Sequence, residues 1–178
     1  MKHFSLYFLI GILFVFIQSS VLPLFFSPNL RPNLILIFVL YLGLSESTNR
    51  AIIAGLLLGA IQDSFCGHSL GLYVSVYLII VISTRVLSEQ MNTESSALLL
   101  VLIAGGTILQ NLLVAVFLSI LADTEPVLRI LLPAIPQQLL ANLLSSALFL
   151  FLLFRFQRLV GQRPGLAGLI YQSKYHGL

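Results

Sequence analysis

The chain has 178 residues, of which 58% belong to the hydrophobic set and only 8% are charged. Ordinary soluble domains are roughly 45–50% apolar and about 25% charged, so this composition excludes water as the main solvent of the folded chain. The nine Lys and Arg residues are scattered, which argues against a basic face that binds nucleic acid. A single cysteine excludes an internal disulfide and any multi-cysteine metal site.

The first apolar stretch, Phe4 to Leu22, contains no charged residue. A bilayer core of about 30 Å requires about 20 helical residues, so this stretch predicts a membrane-spanning helix. Its polar end, Gln18-Ser19-Ser20, lacks the small-x-small pattern of a cleavage site. We therefore expect the segment to be retained as a helix rather than removed as a signal peptide.

Two shorter apolar stretches follow, Asn33 to Leu44 and Ala51 to Gln62. Each gives only about 18 Å of helix at a rise of 1.5 Å per residue. Either flanking polar residues enter the membrane, or the two stretches form a hairpin buried among the other helices. Arg31-Pro32 precedes the first stretch, where proline suits a first helical turn and the arginine side chain can reach the lipid head groups.

The most informative pattern is a small residue or an acid at every fourth position, namely Ala51, Gly55, Gly59, Asp63, Gly67 and Gly71. Positions four apart share one face of a helix, and small residues let two helices pack closely in lipid. We interpret this stripe as a face that contacts a partner protein or a neighbouring helix. The polar segment from Asp63 to Gly71 predicts the end of a helix and a reversal of the chain, with Gly67 and Gly71 in the turn.

Asp63 is the acidic residue predicted to lie closest to the membrane interior, where a carboxylate needs a partner. Two interpretations stay open: the side chain caps the following turn at the interface, or it is a buried group bonded to another helix, with Arg31 or His68 nearby. Further polar residues interrupt the apolar stretches and predict interhelical hydrogen bonds, with an aqueous ligand cavity as the alternative; they are Gln18, Gln62, Gln110, Asn111, Gln137, Gln138 and Asn142.

Three more helices are predicted, from Gly71 to Thr84 with Arg85 at the end, from Leu98 to Ala122, and from Ile130 to Phe154. The six stretches predict an all-α integral membrane domain over residues 1–158 and a basic cytoplasmic tail over residues 159–178 that contacts anionic lipid. A cytoplasmic N-terminus places seven of the nine Lys and Arg residues in cytoplasmic segments. This distribution follows the positive-inside rule and predicts that both termini are cytoplasmic.

Motifs for catalysis are absent from the sequence: it contains no P-loop, HExxH, EF-hand or G-x-S-x-G pattern. The only aspartates are Asp63 and Asp123, and Asp123 lies in a predicted loop, so an intramembrane aspartyl dyad would need a loop residue inside the bilayer. We expect no enzymatic activity, no cofactor and no metal.

Two local patterns resemble the rod shape-determining MreD family. One is Arg31-Pro32-Asn33 before a short apolar helix, and the other is the run from Gly55 to Asp63 followed by Gly67 and then Ser69-Leu70-Gly71. Cys66-Gly67 stands where members of this family more often have a serine-glycine pair. The layout of apolar stretches is similar over most of the chain, whereas the specific residues are confined to the segment from Arg31 to about Val74.

The resemblance implies a non-enzymatic subunit of the cell-elongation machinery in the bacterial inner membrane. Its implied direct partner is MreC, and the larger complex includes the actin-like MreB, the glycosyltransferase RodA and its partner transpeptidase. A six-helix bundle similar to the substrate-binding subunits of energy-coupling-factor transporters is also implied, and a vitamin-type transporter subunit is the alternative function. The residues carried over as partner-binding or helix-packing are Arg31, Pro32, Asn33, Gly55, Gly59, Asp63, Gly67 and Gly71.

Overall fold

The computed structural model describes residues 2–27, 30–66, 71–90, 96–121 and 132–159. These residues form six helices of twelve or more residues and no strand, which confirms the all-α prediction for this part of the chain. The helices are α1 (Lys2–Phe16), α2 (Leu34–Ser45), α3 (Thr48–Cys66), α4 (Leu72–Gln90), α5 (Ser96–Leu121) and α6 (Ile135–Leu159).

Helix α2 lies at the centre of the bundle and touches each of the other five helices. All residues from Ile35 to Ser45 are buried, which suits a segment that is apolar on every side and, at about 18 Å of helix, too short to cross a bilayer core by itself. Aromatic rings from α1, α2 and α6 meet edge to face at one side of α2: Phe14 lies 5.4 Å from Phe38, and Phe149 lies 5.6 Å from Tyr41. The twelve-residue helix is therefore a buried core element.

The helices formed by the two short apolar stretches differ in how far they extend beyond those stretches. Helix α2 has twelve residues and begins and ends within one residue of the predicted stretch. Helix α3 has 19 residues because Thr48–Arg50 and Asp63–Cys66 extend the apolar segment at both ends. Only two residues, Glu46 and Ser47, link the helices, so α2 and α3 run antiparallel and the start of α2 lies at the same end of the bundle as the end of α3.

A π-helical turn that the sequence analysis did not predict follows directly after α1. The helix continues through a π-helical turn, Ile17–Val21, in which the N–H of Leu22 donates to the carbonyl O of Ile17, and then through a short turn, Leu22–Phe25. Pro23 lacks a backbone N–H, and its ring disfavours a regular contact with the carbonyl four residues earlier. Pro23 therefore accounts for the local change from α to π geometry.

Helices α4 and α6 depart from their predicted bounds. Helix α4 continues past Arg85 to Gln90, because a charged residue ends an apolar segment without ending a helix. Helix α6 begins at Ile135, after a 3₁₀ turn over Leu132–Ala134, and runs to Leu159. The predicted basic tail, residues 159–178, lies outside the described residues except for Leu159, the last residue of α6.

Two helices in the described part of the chain contain segments long and apolar enough to cross a membrane, Leu100–Ile120 in α5 and Ile135–Leu152 in α6. Shorter apolar helical segments cover Leu9–Phe25, Leu34–Ser45 and Leu72–Ser88. Many large apolar side chains on α5 and α6 are exposed, among them Ile120 and Leu144, each more than 70% accessible. Lipid is the solvent that suits such a surface.

Candidate functional site

The stripe of small residues on α3 faces α4 of the same chain. A Cβ atom added at Gly59 would lie 2.7 Å from the Cα of Val74 and 2.9 Å from the carbonyl O of Tyr73, so the two backbones are in direct contact at this point. A Cβ added at Gly55 would lie 3.1 Å from Cγ2 of Val81. Helices α3 and α4 thus form a tightly packed antiparallel hairpin, and α4 occupies the glycine face.

Asp63 lies one helical turn beyond Gly59, and its carboxylate caps the first turn of α4. Oδ2 accepts from the N–H of Gly71 at 2.9 Å and from the N–H of Val74 at 3.4 Å, and Oδ1 accepts from the N–H of Tyr73 at 2.8 Å. The first N–H groups of a helix lack partners within the helix and carry its positive dipole end. Asp63 is only 5% exposed, so the structure combines the two open interpretations: the carboxylate is a cap and it is buried.

The chain reverses between Cys66 and Leu72, as the glycine-spaced polar segment predicted. Gly71 has a φ angle of +100°, which is accessible to glycine but costly for residues with a Cβ atom. Gly67 and His68 lie outside the described residues, so the predicted contact between His68 and Asp63 stays a prediction.

Replacing Gly71 by Ala is expected to lower the free energy of unfolding by about 1 to 2 kcal/mol, the cost of a left-handed conformation for an L-residue. No atom lies within 4 Å of the added Cβ, so the effect is conformational rather than steric. Gly71→Asn provides the matched control, because asparagine tolerates positive φ better than alanine. Unfolding in mixed detergent micelles measures both variants, and equal losses for Ala and Asn would contradict this explanation.

Arg31 does not pair with Asp63, which corrects the ion pair considered from the sequence. The Nε–H of Arg31 instead donates to the carbonyl O of Phe26 at 3.4 Å, and the side chain is partly exposed. The next residue, Pro32, is buried just before the first turn of α2. The pairing failed as a prediction because a shared end of the bundle does not bring two side chains into contact, and three backbone N–H groups already surround the carboxylate.

Asn33 is the N-cap of α2 and the centre of a buried polar cluster. Its Oδ1 accepts from the N–H of Leu36 at 3.0 Å, and its Nδ2 donates to Oε1 of Gln110 on α5 at 2.9 Å. Its backbone N–H donates to Oδ1 of Asn142 on α6 at 2.7 Å. The N–H of Ile35 donates to Oε1 of Gln18 in the π-helical turn of α1 at 3.1 Å. Side chains from three other helices and from Asn33 itself therefore surround the first turn of α2.

Asn142 connects this cap to Thr107, which the sequence analysis did not single out. Nδ2 of Asn142 donates to Oγ1 of Thr107 at 2.9 Å, and this hydroxyl donates to the carbonyl O of Ile103. Neither Asn142 nor Thr107 exposes any surface. A threonine inside an apolar helix commonly bonds its own backbone, so the sequence carried no signal that Thr107 also accepts from another helix.

Asn142→Ala is expected to lower the free energy of unfolding by about 2 kcal/mol, because one interhelical bond is lost and the buried N–H of Asn33 loses its acceptor. The mutation should couple with Thr107→Val in a double-mutant cycle. Gln137→Ala is the matched control, since Gln137 lies on the same helix with its side chain exposed. A similar loss for both single variants would contradict the cluster's contribution to stability.

The predicted interhelical hydrogen bonds are confirmed for Gln18, Gln110 and Asn142. They are not found for every polar residue of the apolar stretches. Asn111 donates to the carbonyl O of Thr107 within α5, and Gln137 is exposed. Among the described residues, no group of three or more His, Cys, Asp or Glu side chains could hold a metal ion. The buried polar groups of the cluster bond one another, which is the behaviour of a structural cluster.

The bundle surrounds a central helix that is buried from Ile35 to Ser45, its buried polar cluster is paired inside, and many apolar side chains are exposed outside. These features define a helical membrane protein. Residues 2–160 match the family model described as rod shape-determining protein MreD. The chain therefore belongs to the MreD family of bacterial membrane proteins, and this membership implies a role in determining rod shape. Comparisons with curated proteins and with solved structures gave no match.

Proposed function

We propose that the chain is a non-enzymatic scaffold subunit of the cell-elongation complex, which binds MreC directly and helps to organise RodA and its partner transpeptidase. The observation that carries this proposal is the family match over residues 2–160. The proposed topology is multi-pass, with both termini in the cytoplasm, and the distribution of Lys and Arg supports it. In this topology the start of α2 and the α3–α4 turn face the outside.

The motif residues have a proposed role in packing within the chain. Gly55 and Gly59 let α3 and α4 approach each other, while Asp63 and Asn33 cap the first turns of α4 and α2. Together these residues fix the relative positions of the helices, and a scaffold needs such rigidity in order to present a defined surface. A partner helix would then contact the outside of the bundle rather than the glycine face, which α4 already covers.

Complementation after depletion tests the proposed function. In the source bacterium depleted of this protein, cells should lose rod shape, and re-expression of the wild-type chain should restore it. Copurification of MreC from mild detergent should accompany the restored shape. A variant with an intact fold that restores rods without capturing MreC would contradict direct MreC binding, and normal rods after complete depletion would contradict the role in elongation.

A vitamin-binding transporter subunit requires a polar pocket for its ligand, and no observation on the described residues favours one. The buried amides of the Asn33 cluster bond one another, which leaves the scaffold as the better-supported function. The similarity of the bundle to the substrate-binding subunits of energy-coupling-factor transporters is also a proposal. Thermal-shift screening with vitamins separates the two functions, because a specific ligand would raise the unfolding temperature by mass action.

A further inference from the structure

The buried cluster around Asn33 marks the middle of the membrane. Nδ2 of Asn33 donates to Oε1 of Gln110 at 2.9 Å, and its backbone N–H donates to Oδ1 of Asn142 at 2.7 Å. Gln110 is the central residue of the span Leu100–Ile120, which rises about 30 Å and matches the thickness of a bilayer core. Asn142 lies near the centre of the other span, Ile135–Leu152. Because the two spans agree, the first turn of α2 lies close to the midplane of the bilayer.

Helix α4 begins at the same level as α2 and runs in the same direction, because each of them is antiparallel to α3. A Cβ atom added at Gly43 would lie 3.1 Å from Cγ2 of Thr84, so these two residues are neighbours. Tyr73 precedes Thr84 by about as many residues as Asn33 precedes Gly43, which is a rise of about 15 to 17 Å in both helices. The first turn of α4 therefore also lies near the midplane.

Helices α1 and α3 extend only a little farther on the side of the membrane where α2 begins. Gln18 bonds the first turn of α2, and helical turns continue from Gln18 to Phe25, a rise of at most about 10 Å. Gly59 lies against the backbone of Tyr73, and α3 continues from there to Cys66, again a rise of about 10 Å. The hydrocarbon of one leaflet is about 15 Å thick. The described ends of α1 and α3 therefore lie about 5 Å below its surface.

The other side of the bundle has the full height of the leaflet. Helix α5 rises about 15 Å between Gln110 and Ile120. On the short side, the large apolar residues Leu24, Phe25 and Phe65 lie about 10 Å above the midplane and are each more than half exposed. Hydrocarbon therefore suits the short side up to about this level and no farther along the described helices.

Arg31 lies at this same limit. Its backbone is two residues from Asn33, a distance of at most about 7 Å. Its Nε–H donates to the carbonyl O of Phe26, the residue that follows the last helical turn after α1. The side chain is partly exposed, and no carboxylate of the described residues pairs with it. In a leaflet of ordinary thickness this guanidinium would lie within hydrocarbon, where a charge is costly unless it reaches a counter-ion.

We propose that the leaflet is locally thinner beside α1–α4 and that the phosphate group of a phospholipid, drawn toward the midplane there, binds Arg31. A bilayer adapts to short apolar segments by thinning, and arginine donates in a planar arrangement that phosphate oxygens accept well. Thinning also keeps the irregular segment between Phe26 and Asn33 out of hydrocarbon, where exposed backbone polar groups are not tolerated.

The depth of these residues follows from the two spans, so the proposal does not depend on MreC or on cell elongation. The proposed topology decides only which leaflet is thinned, and in that topology it is the outer one. The occupant is a lipid head group because the guanidinium lies at the boundary between exposed apolar side chains and the end of the described helices, where phosphate is the nearest anion of the bilayer.

Two spin labels at equal height test the proposal. Leu24 and Val116 are both exposed, and each lies six residues, or about 9 Å, beyond a glutamine of the midplane cluster, Gln18 or Gln110. Leu24→Cys and Val116→Cys are made separately together with Cys66→Ser, labelled, and reconstituted as the full chain in phosphatidylcholine vesicles without any partner. Accessibility to a water-soluble nickel complex relative to oxygen gives the depth of each label. The label on Leu24→Cys should lie about 5 Å nearer the phosphate groups than the label on Val116→Cys.

Arg31→Gln should move the label on Leu24→Cys toward the depth of the label on Val116→Cys, whereas Arg31→Lys, which retains the charge, should keep most of the difference. Unfolding in mixed micelles checks that both variants are folded. Equal depths of the two labels would overturn the thinning, and a difference that survives Arg31→Gln would overturn the assigned role of Arg31. A change in depth on adding inorganic phosphate would also overturn the proposal, because a free anion in a water-filled recess would then be the ligand.

Discussion

Gly59→Ala is expected to lower the free energy of unfolding by about 3 kcal/mol, at the upper end of the usual range for an overpacked core. The added methyl group would lie 2.7 Å from the Cα of Val74, 2.8 Å from its backbone N and 2.9 Å from the carbonyl O of Tyr73. These are backbone atoms of α4, which cannot rotate away as a side chain can. The two helices must separate, and the separation also lengthens the bonds from Asp63 to the first turn of α4.

Gly105→Ala is the matched control for this prediction, since it makes the same chemical change in another helix. Its added Cβ would meet no atom within 4 Å, so alanine should stabilise α5 by about 0.5 to 1 kcal/mol through its higher helix propensity. Unfolding of both variants in mixed detergent micelles gives the comparison. Equal stability for the two glycine variants would contradict the close approach of α3 and α4.

Asp63→Ala is expected to lower the free energy of unfolding by about 3 kcal/mol, because buried backbone donors at the start of α4 lose their acceptor. The N–H groups of Gly71, Tyr73 and Val74 all donate to this carboxylate. Asp63→Asn should cost less, since its single amide oxygen retains part of the cap. The side chain is buried, so water replaces the lost acceptor poorly.

Arg31→Gln tests whether the effect of replacing Asp63 depends on an interaction with Arg31. Because Arg31 bonds the carbonyl O of Phe26 and not the carboxylate, its effect should add to that of Asp63→Asn without coupling. A double-mutant cycle in detergent measures this directly. A coupling energy above the usual error of about 0.5 kcal/mol would contradict the absence of an Arg31–Asp63 pair.

The local features of the hairpin could be predicted from the sequence, because they depend on neighbours in the chain. Spacing by four placed Gly55, Gly59 and Asp63 on one face, and the polar run after Gln62 correctly predicted the end of α3 and the reversal at Gly71. The identity of the covering helix was not predicted. Small residues indicate that something packs closely, and they do not distinguish the next helix of the chain from a partner.

The interior of the bundle was harder to predict because its contacts are remote in sequence. Asn33 bonds side chains 77 and 109 residues away, and nothing in a single sequence indicates which polar residue meets which. The apolar residues of α2 show no helical periodicity, so its burial from Ile35 to Ser45 followed only from the packing of the other helices around it. Thr107 was missed for the same reason, since its partner Asn142 lies 35 residues away.

A disulfide cross-link between α3 and α4 in intact membranes tests most directly whether this chain covers its own glycine face. Gly55→Cys and Val81→Cys are introduced together with Cys66→Ser, at positions where an added Cβ on residue 55 would lie 3.1 Å from the side chain of residue 81. Mild oxidation should join the pair within one monomer, equally with and without co-expressed MreC. A cross-link that forms only between chains, or one that is lost when MreC is present, would contradict the closed hairpin.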